Sequence, residues 1–180
     1  TGEPYTSIAS FPGMKERTVV IDGFSKKYAM TGFRLGWGAA PEEVTATMTK
    51  LVENVLSSVN EGVQWAGVAA LTGDQSCVTE MLDHYRRRRE IIVEGLNSIE
   101  RVHCLPPKGA FYAFPNIPQT GLGSREFAIR LLQETHTVVV PGVGFGQGGE
   151  GFIRISYATS EENIREGLRR IKKFVESLPG

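Results

Sequence analysis

Two adjacent lysines, Lys26 and Lys27, an arginine eight residues after the first of them, Arg34, and a distant second arginine, Arg154, are the side chains best placed to do chemistry. The lysines follow Thr18-Val-Val-Ile21, an apolar run ending in Asp22-Gly23 that reads as a strand buried on both faces, as parallel strands are. Open α/β sheets place ligand crevices just beyond such strands. A lysine there can be partly desolvated, its pKa lowered, and so serve as a free amine for imine chemistry; two solvated loop lysines are the plainer alternative. Arg34 stands in an otherwise apolar, glycine-rich strand-like piece, Phe33 to Gly38. A guanidinium in that setting needs an anion, and a phosphate, a carboxylate or a structural ion pair would each satisfy its planar fork. Alternation along Phe152-Ile-Arg-Ile-Ser-Tyr157 puts Phe152, Arg154 and Ser156 on one face and Ile153, Ile155 and Tyr157 on the other. Arg154 is then either an ordinary surface residue or a cleft residue awaiting a carboxylate.

Other constellations carry less. Gly144, Gly146 and Gly149 spell GxGxxG, but a dinucleotide fingerprint must open a helix after a strand, whereas here a strand follows, so the stretch reads as a flexible connection. Ser25 beside Lys26 lacks the spacing of a Ser-Lys hydrolase, which would need a lysine where Tyr28 stands. His84, His103 and His136 share no metal-ligand or catalytic spacing. Arg86 to Arg89 wrap most of a helical turn without interleaved aromatics, which favours a solvated or acid-paired helix over nucleic-acid binding.

These residues must be positioned by a chain of 180 residues, 41% hydrophobic, enough for one sizeable core or two small ones. Twenty basic and 20 acidic residues cancel, so no general field draws the protein to nucleic acid or an anionic membrane. Two cysteines, Cys77 and Cys104, make no disulfide framework, and no apolar run suits a membrane span or signal peptide; a cytoplasmic protein is expected. The start has no Met and is loop-like, as if cut from something longer. An amphipathic helix is expected from Pro41 through Val55, a smaller Ala-rich helical stretch over Gly62 to Leu71, a long helix from Ser76 to about Ile99, and a further helix over about Ser124 to Gln133. A last helix is expected after Thr159, which stands three residues before Glu162 at capping-box spacing. Short strands are expected at Val102 to Leu105, Ala110 to Phe114, Val138 to Val140 and Phe152 to Tyr157.

The run Phe24-Ser-Lys-Lys-Tyr-Ala-Met-Thr-Gly-Phe-Arg-Leu-Gly-Trp37 closely resembles the lysine motif of class I/II aminotransferases, the aspartate aminotransferase-like, fold type I pyridoxal-phosphate enzymes. The resemblance extends along nearly the whole chain. Pro107-Lys-Gly-Ala-Phe-Tyr112 is similar to the family's entry into its small-domain sheet, and Val140-Pro-Gly-Val-Gly-Phe145 to its later strand and loop. Phe152-Ile-Arg-Ile-Ser-Tyr-Ala-Thr-Ser160 resembles the segment with its carboxylate-binding arginine. Residue by residue, the resemblance implies that Lys26, not Lys27, bonds covalently to pyridoxal 5'-phosphate. It further implies that Arg34 holds the cofactor phosphate with help from the Ser25 hydroxyl, and that Arg154 binds the substrate α-carboxylate. Gly23 stands where many relatives have a phosphate-binding hydroxyl.

The resemblance also implies an α/β architecture: the last strands and helices of a large cofactor domain over residues 1–91, and an α+β small carboxyl-terminal domain over residues 92–180, divided within the long helix. The family's pyridinium-pairing aspartate, ring-stacking aromatic, O3′-facing asparagine and tyrosine, and phosphate-binding turn all lie upstream of its lysine. The implied protein is thus the carboxyl-terminal part of a chain about twice as long, inactive by itself, from a homodimer acting on an amino acid and a 2-oxo acid. A β-lyase or synthase of the same fold, or a non-enzymatic regulatory domain derived from it, would share Lys26, Arg34 and Arg154.

Overall fold

Glycine and proline punctuate the chain closely, and its strands are correspondingly short in the structure, a computed structural model that describes residues 4–179. The chain divides into two compact units, one ending at Glu80 and the other beginning at Met81, so the division falls inside one helix. In the first unit β1 (Val20–Gly23) pairs antiparallel with β2 (Gly36–Ala39), from Val20 opposite Ala39 to Gly23 opposite Gly36. Between them lie the single turn α1 (Phe24–Lys27) and a 3-10 turn at Thr31–Phe33. Helix α2 (Glu42–Val55) begins after Pro41, whose fixed φ suits a helix start. Helix α3 (Glu61–Thr72) is capped by Asn60, whose side-chain oxygen accepts from the Val63 N–H at 3.3 Å.

The expectation of a strand buried on both faces is not met. β1 starts two residues later than the apolar run and pairs antiparallel, and Ile21 is 78% exposed. A connection that returns directly to the neighbouring strand pairs it antiparallel and needs no crossover helix, unlike the parallel pairing expected.

Helix α4 (Ser76–Asn97) leads into the second unit. There β3 (Tyr112–Ala113), β4 (Val140–Pro141) and β5 (Ile153–Ser156) form an antiparallel sheet ordered β3-β5-β4, with α5 (Ser124–Thr135) and α6 (Glu161–Glu176) beside it. Its core joins Ile92 and Leu96 of α4, Phe127 and Leu131 of α5, Ile153 and Tyr157 around β5, and Ile171 and Phe174 of α6. The expected strand from Val102 to Leu105 reduces to one bridge, His103 with Asn116. The Asn97 side chain occupies the Cys104 backbone instead, donating to its carbonyl at 2.9 Å and accepting from its N–H at 2.8 Å. Pro106 and Pro107 then bring no donors to extend a ladder. The cap of α6 also shifts by one residue. Ser160, in an extended conformation, accepts from Asn163 N at 3.2 Å, while Thr159 accepts only from the Asn163 side chain.

The Phe127 and Phe174 rings meet edge-to-face, 5.1 Å apart and inclined at 86°, and both side chains are fully buried. Phe174→Ala leaves a cavity between α5 and α6 and is expected to cost about 3–5 kcal/mol, read as a lowered denaturant midpoint with the slope retained. No helix among the described residues is long and apolar enough to cross a membrane.

Candidate functional site

The lysine pair sits on a closed loop. Phe24 N donates to Leu35 O at 3.2 Å, directly continuing the β1–β2 pairing, so the residues from Phe24 to Leu35 leave and return at one point. Two buried side chains, Phe24 and Met30, hold this loop to its unit. Helix α3 comes close because residue 67 is glycine: a Cβ there would lie 2.6 Å from Leu35 Cδ2 and 3.5 Å from Phe24 Cζ. Ser25, Lys26 and Arg34 are thereby gathered on one short loop anchored at its base.

The two lysines differ in their surroundings. Lys27 lays its ammonium 5.0 Å from the Tyr28 ring centroid, and the Tyr28 hydroxyl donates to Gln75 Oε1 at 3.2 Å. Lys26 is exposed, so the desolvation expected of a crevice lysine is not provided by this chain. Arg34 is also exposed and donates one N–H to Thr31 O at 3.0 Å, leaving most of its fork for another acceptor. Ala29 and Arg34 both have φ of 53°, a left-handed conformation that side chains larger than glycine adopt at a cost. Two such residues within one loop are the kind of backbone strain that gathers at binding sites.

This donor set fits pyridoxal phosphate. A primary amine suits its aldehyde, and a guanidinium and a hydroxyl on the same loop suit its phosphate dianion. Gly23, by contrast, offers no hydroxyl; its Cα faces Leu35 O so closely that an added Cβ would lie 3.3 Å from that oxygen.

Arg154 belongs to the second unit. The alternation read from the sequence holds: Ile153 and Tyr157 are fully buried, and Arg154 points to the other face. Its guanidinium carbon lies 4.4 Å from the Tyr112 ring centroid and 4.5 Å from that of Phe145. Among the described residues its N–H groups meet no carboxylate. Phe145 in turn meets Phe114 edge-on at 6.1 Å, and Phe114 stacks on Phe152 at 5.2 Å. The sequence does not reveal these ring partners, because they depend on the register between β3, β4 and β5.

The glycine-rich stretch forms two consecutive 3-10 turns, Gly142–Phe145 and Gln147–Gly149, rather than a structureless connection. Gly142 and Gly149 pack backbone against backbone, leaving no room for a side chain at either position. Just beyond, the Glu150 carboxylate accepts from Ser124 N at 2.7 Å and from Ser124 Oγ at 2.9 Å, tying this loop to the start of α5. Those two bonds, the backbone one foremost, hold the Glu150 carboxyl below its ordinary value of 4.5. A depressed carboxylate pKa contributes stability that is complete above the unfolded value and disappears as pH falls through the folded one. The Tm difference between the wild type and Glu150→Gln is therefore expected to be largest above pH 4.5 and to close on acidification.

The remaining candidates have structural roles. Arg86 pairs with Asp83 at 2.7 Å and Arg87 approaches Glu161 at 3.8 Å, as an acid-paired helix would have it. Arg88 stacks over Tyr85, and Arg89 reaches the Pro107 carbonyl at 3.4 Å. His136 ends α5 in a left-handed conformation, and His103 makes the isolated bridge.

An amine and a guanidinium lie on one anchored loop of the first unit, and a ring-flanked guanidinium lies on the sheet of the second. The family Aminotransferase class I and II matches residues 2–171, and the chain belongs to it. That family depends on pyridoxal phosphate. The chain is 44% identical over 177 residues to an aspartate aminotransferase of Pyrococcus horikoshii, covering 96% of this chain and 45% of that protein. It is 45% identical to aromatic-amino-acid aminotransferase 2 of Thermococcus litoralis, covering 94% of this chain and 44% of the relative. The crystal structure of an aspartate aminotransferase from Rhizobium meliloti superposes with a TM-score of 0.95 at 37% identity, over 99% of this chain and 47% of that one. The chain thus spans about half the length of the relatives it matches.

Proposed function

We propose that this chain is the carboxyl-terminal portion of a pyridoxal-phosphate-dependent aminotransferase that moves an amino group between an α-amino acid and a 2-oxo acid. The reading is carried by the closed loop from Phe24 to Leu35, which holds Ser25, Lys26 and Arg34 together. Residues 1–91 contribute to the large cofactor domain and residues 92–180 form the small one, with their boundary within α4. The assembled enzyme is a cytoplasmic homodimer, and the 180 residues alone do not transaminate, because the partner of the pyridinium nitrogen comes from elsewhere.

Within the enzyme, Lys26 Nζ holds the cofactor covalently, while the Arg34 guanidinium and the Ser25 hydroxyl bind its phosphate. Arg154 receives the α-carboxylate of either substrate through its planar fork. Bound there, pyridoxal phosphate supplies a ring that takes up the electron pair left when the α C–H bond breaks, and it stores the amino group between half-reactions. Lys26 Nζ would also take the α-proton of the bound amino acid as a base and return it as an acid.

Product analysis of the full-length protein tests the reaction class. Equal amounts of 2-oxo acid released from the donor and amino acid formed from the acceptor are expected. Ammonia and pyruvate from a β-substituted amino acid, without acceptor turnover, would assign the fold to a lyase.

A further inference from the structure

Arg154 is flanked by aromatic rings brought from both neighbouring strands of its sheet. β5 is the central strand; Tyr112 comes from β3 on one side, and Phe145 follows β4 on the other. Their centroids lie 4.4 and 4.5 Å from the guanidinium carbon, well inside the range in which a ring face attracts a cation. The N–H groups of a guanidinium lie in its plane, which is the direction from which a carboxylate makes two parallel hydrogen bonds, so ring faces that hold the cation leave that edge for a carboxylate. The ring faces attract the cation without placing a carboxylate beside it to compete with a substrate.

We propose that Tyr112 and Phe145 are positioning residues that hold the Arg154 fork edge-on for the α-carboxylate; this rests on the reading of Arg154 given above. Phe145 is placed by the two 3-10 turns that Glu150 ties to α5, and its outer side meets Phe114, which itself stacks on Phe152. The ring is therefore braced although the residue is 51% exposed, and replacing it does not open the core. Lysine at position 154 would keep the cation–ring attraction but lose the planar edge.

The test uses full-length protein loaded with pyridoxal phosphate. The readouts are KM for both substrates, and the calorimetric Kd of succinate or 3-phenylpropanoate, non-reacting carboxylates, whichever the wild type binds. Phe145→Leu keeps the bulk and removes the ring; Phe145→Tyr keeps the ring. Phe145→Leu is expected to weaken the carboxylate and raise both KM values by a common factor, roughly three- to thirtyfold, with Tyr112→Leu acting alike. Phe145→Tyr and Tyr112→Phe are expected to stay near wild type. If Arg154→Ala raises both KM values while the leucine and ring-retaining variants match one another, the positioning role is overturned and the reading of Arg154 stands. If Arg154→Ala changes neither KM nor Kd, the reading of Arg154 fails and the positioning role falls with it.

Discussion

Lys26→Ala in the full-length protein is expected to abolish covalent cofactor retention and lower transamination by at least about 10²- to 10⁴-fold, the usual contribution of a positioned proton-transfer group. Lys26 lies on a single helical turn directly after β1, and the Phe24–Leu35 hydrogen bond fixes where that turn begins. Its neighbour Lys27 is a poor substitute, because the Lys27 ammonium rests against the Tyr28 ring and Tyr28 is bonded to Gln75. Lys27→Ala is therefore expected to retain turnover within a few-fold of wild type. Absorbance of the lysine-bound cofactor and single-turnover rates measure both variants. The opposite pattern would transfer the role to Lys27.

Arg154→Lys and Arg154→Ala are expected to lower kcat/KM for amino donor and 2-oxo acceptor alike. A hydrogen bond to a charged partner contributes about 1.5–3 kcal/mol, which corresponds to roughly 10- to 150-fold. The loss falls on both substrates because the α-carboxylate is the group they share. Lysine recovers only part of it, since an ammonium is a point charge without a fork. Steady-state kinetics with both substrates varied gives the measurement. A loss confined to one substrate would place Arg154 on a side chain rather than on the common carboxylate.

What could be read from the amino-acid sequence depends on how local the feature is. That Lys26 and Arg34 share one loop follows from their eight-residue spacing, and the side on which Arg154 lies follows from strict alternation around β5. The four longer helices after Pro41 and before the last one begin and end within two residues of the bounds expected for them. Pairing is not legible in the same way. The run before Lys26 has the composition of a doubly covered strand, yet β1 is half of a two-stranded ribbon within its unit. The strand expected at Val102 to Leu105 is replaced because one side chain, Asn97, satisfies the Cys104 backbone. Tyr112 and Phe145 escape notice for the same reason: their meeting with Arg154 depends on strand order, not on spacing along the chain.

The assignment of Lys26 is the point on which the functional reading turns. Borohydride treatment of the full-length protein loaded with pyridoxal phosphate fixes the cofactor to whichever lysine holds it, and digestion with mass spectrometry locates the label. The label is expected on Lys26 within the Phe24–Trp37 segment; its appearance on Lys27 or on a lysine outside this segment would contradict the account.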